Sequence, residues 1–124
     1  MAEQPDVGRS PLAAEAIARI DATQLPVRDR HHLRLIAHCL ACFQEMAHPA
    51  DQGTLPTPDQ QRRWIRQQPQ LRDEPDFAEL LLQQFSSAAR QLEQLADQRQ
   101  LSPLALSLED LIAEAERVHR LQSF

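Results

Sequence analysis

The stretch from Asp76 to Gln100, DFAELLLQQFSSAARQLEQLADQRQ, constrains the architecture most, because it holds neither glycine nor proline and its apolar residues recur every three to four positions. At about 100° per residue, Ala78, Leu81, Leu82, Phe85, Ala88, Ala89, Leu92, Leu95 and Ala96 fall in one arc, with Glu79, Gln83, Ser86, Arg90, Glu93 and Asp97 outside it. A helix with such a stripe must bury it. The alternating spacing of Leu81, Phe85, Ala88, Leu92 and Leu95 is the one by which helices pack on helices. An all-α fold is therefore expected. Two glycines and no tyrosine are also poor material for a sheet, which needs turn glycines and aromatic strands.

Prolines and caps divide the rest. Ser10 and Pro11 read as N-cap and first residue of a helix over about 11–22, with Ala13, Ala16, Ile17 and Ile20 on one side. A second helix runs from about 27 to 47 and stops near Pro49. Thr57, Pro58 and Gln60 form a capping box that opens a short helix over about 58–68, whose residues to bury are Trp64 and Ile65. Asp76 with Glu79, behind Pro75, predicts a second box at the start of a helix over about 76–100. After Ser102 and Pro103 the segment LALS reads as a turn of helix or a linker. Ser107 then caps a last helix over about 108–121, with Leu108, Leu111, Ile112, Ala115 and Val118 on one face. The expectation is a small bundle of four main helices and one short one, a single helical domain over 10–124 with residues 1–9 as a flexible tail. At 124 residues it buries enough surface to fold without metal or disulfide.

The segment HHLRLIAHCLACFQEMAH, residues 31–48, gathers four of the five histidines and both cysteines. On a helix, Leu35, Ile36, Cys39, Leu40, Cys42, Phe43 and Met46 span one apolar side, so the thiols read as small hydrophobes of the core. A redox Cys-x-x-Cys needs the first turn of a helix, where the dipole and free amides lower the thiol pKa. About three turns precede Cys39. A zinc site would use Cys39 and Cys42 with His38 and His48, but the wheel turns both imidazoles toward the polar side with His31, Arg34 and Glu45. A di-iron reading rests on Glu45-x-x-His48 and Glu116-x-x-His119, since residues three apart aim at one point and carboxylate bundles use such a pair on each of two helices. Metal binding, through these residues, is the alternative function; no cofactor is expected under the main reading.

The locally basic segment QRRWIRQQPQLR sets Arg62, Arg63, Arg66 and Arg72 around Trp64. These residue types stack on bases and contact phosphate. A formal net charge of −5 gives nucleic acid no general attraction, however, and Trp and Arg are equally the residues richest in protein-binding hot spots. All thirteen basic residues are arginine, which reflects either codon bias or a use for planar, bidentate contacts.

Neither a nucleophile elbow nor a phosphate loop is present, and His32 and His119 are the candidate general bases. No catalytic residue is assigned. Leu80, off the apolar arc, and the terminal Phe124 suggest a face covered by a second copy. The sequence thus reads as a non-enzymatic protein–protein interaction module: an adaptor, assembly factor or regulator, cytoplasmic, homodimeric, with another protein as partner and no membrane span. The partner surface is expected at Arg62, Arg63, Trp64, Arg66 and Arg72, with nucleic-acid binding through the same segment as a third reading.

Overall fold

The computed structural model describes residues 12–122, and among them it forms six α-helices and no strand. They are α1 (Ala14–Asp21), α2 (Val27–Ala47), α3 (Pro58–Arg66), α4 (Pro69–Arg72), α5 (Pro75–Arg99) and α6 (Leu108–Gln122), with a 3₁₀ turn at Pro103–Ala105. The expected helical bundle is what the chain builds. The tail over residues 1–9, the Ser10 and Pro11 cap and Phe124 lie outside the described residues.

The boundaries differ from expectation in instructive places. Leu12 and Ala13 are not helical, so α1 begins at Ala14 rather than near residue 11; Ala13 is extended at its N-cap and offers no side-chain oxygen. α5 starts at Pro75, and the Asp76–Glu79 box does not form, because Glu74 is the N-cap and makes no side-chain bond. Proline at the first helical position already has helical φ and no N–H to satisfy, which shifts the start back by one residue. The Thr57–Gln60 box forms as expected, with Gln60 N–H donating to Thr57 Oγ1 at 3.2 Å and Thr57 N–H to Gln60 Oε1 at 2.7 Å. α3 stops at Arg66, short of residue 68, because Pro69 disfavours helix at Gln68 and nucleates its own single turn, α4. That turn buries Leu71 and went unanticipated.

α2 is the central element. α1, α3, α5 and α6 all pack on it, whereas α5 and α6 barely touch one another. At the centre Phe43 of α2 and Phe85 of α5 are both 0% exposed, with ring centroids 5.1 Å apart. Leu92, Ile112 and Ile20 close the core from α5, α6 and α1.

The LALS segment resolves as a structural clamp. Gln44 Nε2 on α2 donates to the carbonyls of Leu104 (3.2 Å) and Leu106 (3.3 Å), while Gly53 N–H donates to Ser102 Oγ at 2.9 Å and its carbonyl accepts from Leu104 N–H at 3.2 Å. Gly53 holds φ of +116°, a conformation that glycine adopts at little cost. Ser107 caps α6 as expected: its Oγ accepts from Asp110 N–H at 3.2 Å, and Asp110 Oδ2 accepts from Ser107 N–H at 2.9 Å.

Candidate functional site

The thiols are placed by the α2 face that packs inward. Cys39 is 0% and Cys42 1% exposed. Burial pushes the Cys39 thiol up to about 11 and Cys42 to about 12, the latter helped by the neighbouring Cys39 and Glu45. Thiols held protonated in this way are poor nucleophiles and poor metal ligands.

His38 departs from expectation. It is half-buried rather than turned to solvent, and its Nε2 lies 3.7 Å from Cys42 Sγ. Residues four apart on a helix differ by only about 40° and stack along one face, so a ring at position 38 lies over Cys42 even though it borders the polar side. Burial lowers the His38 pKa below its ordinary value. His31, His32 and His48 are exposed. Among the described residues no group of three or more His, Cys, Asp or Glu is placed to hold a metal ion.

The two Glu-x-x-His pairs are kept apart by topology. His119 Nδ1 lies 3.5 Å from Asp29 Oδ2, which puts the C-terminal end of α6 beside the N-terminal end of α2. Glu45 and His48 sit at the other end of α2, about 24 Å away at 1.5 Å per residue. Glu45 is engaged elsewhere, accepting from Trp64 Nε1 at 3.1 Å. Glu116 is half-buried on α6 with His119.

The arginine–tryptophan segment divides by helical face. Trp64 is half-buried, with its ring centroid 6.3 Å from that of Phe85, and Ile65 is buried beside it. Gln61 is buried and donates to the Pro56 carbonyl at 3.1 Å. Trp64 thus serves to pin a nine-residue helix to α2 and α5. Arg62, Arg63 and Arg66 are exposed, Arg62 pairing with Asp59 at 3.2 Å. The Arg72 side chain lies outside the described residues.

What sequence reasoning missed is a cleft between α2, α5 and α6, with a cavity of about 360 Å³. Its floor is apolar: Leu33 and Ile36 from α2, Leu92 and Leu95 from α5, Leu111 and Val118 from α6. Its rim is polar: Asp29 and His32, then Gln91, Gln94 and Gln98, then Glu114 and His119. His32 Nε2 lies 3.0 Å from Gln91 Oε1 and divides this cleft from a second groove of about 250 Å³ between α2 and α5. Leu80, 56% exposed as expected, and Leu35, 37% exposed against expectation, border that groove. The glutamines at positions 91, 94 and 98 recur three and four apart beside the apolar arc, the one trace of the rim in the sequence. The cleft thus sets an apolar floor under a rim of amides, imidazoles and two carboxylates, the make-up of a ligand- or partner-binding pocket.

A family model described as CRR9: NDH complex assembly factor CRR9 matches residues 12–122. No curated protein and no solved structure matches the chain.

Proposed function

Because the chain belongs to the CRR9 family of NDH complex assembly factors, we propose that it is a non-catalytic assembly factor for an NDH complex, acting by binding a subunit or partial assembly. The observation that carries this reading is the family match, whose span from residue 12 to 122 takes in every helix of the bundle. The α2–α5–α6 cleft supplies a surface with the apolar floor and polar rim that protein recognition uses. Arg62, Arg63 and Arg66, exposed on α3 around the half-buried Trp64, add a second, basic contact face.

The test is genetic and biochemical. Deleting the gene in its native cell and separating the NDH complex by native electrophoresis should show less complete complex and more partial assembly. A tagged copy should bring down NDH subunits with the partial assemblies and not with the finished complex. Complete complex at the normal level in the deletion strain would refute the proposal.

A further inference from the structure

α5 and α6 lean on α2 from either side and meet near one end, where Arg99 of α5 pairs with Asp110 of α6 at 3.0 Å. Beyond that bridge a cleft opens between them over α2. In a four-helix bundle this is the place of a packed helix. The lining residues run from Gln91 to Gln98 on α5 and from Leu111 to Gln122 on α6, about 10 Å and about 16 Å at 1.5 Å per residue. That length takes two to three turns of a helix, which presents apolar anchors at i, i+3 or i+4 and i+7. The cavity of about 360 Å³ has room for roughly twelve waters at ~30 Å³ each, or for several apolar side chains.

The charges select the occupant. None of the residues lining the cleft or the adjoining α2–α5 groove is an arginine, although the chain holds thirteen; the carboxylates that line them are Asp29 and Glu114. Glu114 is held by Arg117 through two bonds of 2.8 and 3.0 Å. Asp29, on α2, contacts His119 of α6 at 3.5 Å, which neutralises it only when the ring is protonated. A second copy of the chain would bring a net charge of −5 to this acidic rim, and like charge is disfavoured across an interface. We propose that the α2–α5–α6 cleft receives an amphipathic helix from a partner protein, its apolar ridge between α5 and α6 and a lysine or arginine on its flank paired with Asp29. The identity of that partner as an NDH complex subunit rests on the reading above; the helix-binding chemistry does not.

Two labelled synthetic peptides with the same leucine ridge, one flanked by lysine and one by glutamate, test the proposal against the full chain by fluorescence anisotropy, together with peptides tiled from NDH complex subunits. The lysine-flanked peptide should bind saturably and at least tenfold more tightly than its glutamate counterpart. Ala115→Trp, which fills the cleft, should abolish binding, and Asp29→Asn should remove most of the preference. Val118→Arg, on the half-buried wall, serves if the tryptophan variant does not fold. Arg63→Ala and Arg66→Ala on α3 should bind as wild type.

Undiminished binding by folded Ala115→Trp or Val118→Arg overturns the proposal, as does equal or tighter binding of the glutamate peptide. A dimer in sedimentation equilibrium that Val118→Arg dissociates overturns it too, by placing a second copy in the cleft. If the lysine peptide binds and no NDH-derived peptide does, the cleft assignment stands and the assembly reading fails. If NDH subunits co-purify undiminished with Ala115→Trp, the assembly reading stands and the cleft assignment falls.

Discussion

Replacing Trp64 by alanine should destabilise the fold by about 3.5 kcal/mol, a figure built from three parts. Removing the half-buried ring re-exposes on the order of 100 Å² of apolar surface on the ring and its neighbours, about 2.5 kcal/mol at ~25 cal/mol per Å². The ring contact with Phe85, 6.3 Å between centroids, adds roughly 0.5 kcal/mol. The Nε1–H bond to Glu45, 3.1 Å, adds about 0.5 kcal/mol, at the low end because the carboxylate is exposed and rehydrates when released. Trp64→Phe keeps most of the ring and should cost only about 1 kcal/mol, and a double-mutant cycle with Glu45→Ala should return a coupling of about 0.5 kcal/mol. Nine residues are below the ~12–15 at which a helix is marginal alone, so α3 depends on this pin. With a urea m value of roughly 1.5 kcal/mol per molar, the alanine variant's midpoint should fall by about 2 M. Far-UV circular dichroism is the proper probe, because Trp64 is the one tryptophan in the chain. A midpoint within about 0.3 M of wild type at unchanged m would refute the placement of Trp64 as an internal pin and return it to the partner surface.

Other expectations follow from the same contacts. The Cys39 and Cys42 thiols, raised from 9.0 to about 11 and about 12, stay protonated in the folded state while unfolded thiols ionise. Their contribution to stability is intact below pH 9 and is lost as pH rises toward 11–12, at up to about 1.4 kcal/mol per pH unit per thiol; urea melts of wild type against Cys39→Ala and Cys42→Ala across pH 8–10.5 should show the slope flatten in the variants. His38 is lowered by burial from 6.5, so the unfolded chain binds its proton first and stability should fall as pH drops below 6.5; melts of His38→Gln from pH 7 to 5 should show a shallower fall than wild type. Gln44→Ala removes both donations to the 3₁₀ turn and should cost about 1–2 kcal/mol in urea unfolding, with earlier amide exchange at Leu104 and Leu106. Ser107→Ala, which strips the α6 cap, should cost about 1 kcal/mol by the same melts, while Ser107→Thr should restore most of it.

Much of the candidate site was hidden from the sequence for a geometric reason. The spacing of Cys39 and Cys42 with Ile36 and Phe43 places the thiols inward, and the structure agrees, because that face of α2 meets every other long helix. His38 misled because one turn of helix stacks it over Cys42 at 3.7 Å, closer than its polar character suggests. Trp64 carries a second role that its neighbours in sequence do not signal: a Trp among arginines has the composition of a contact surface, and its ring also turns toward Phe85 and its N–H toward Glu45.

Local rules settled what lies within a few residues along the chain: that α5 is a long helix, that Thr57 and Ser107 cap their helices, that prolines separate the elements. These depend on 3.6-residue periodicity and on side-chain oxygens reaching backbone N–H groups two or three positions away. The cleft is of another kind. Leu92, Leu95, Leu111 and Val118 carry the same apolar signal as any core residue, the first three are buried in the core, and only the angle at which α5 and α6 settle on α2 decides that they also line a cleft. That angle comes from which side chains of three distant segments interdigitate, a property of their joint packing that no single helix encodes.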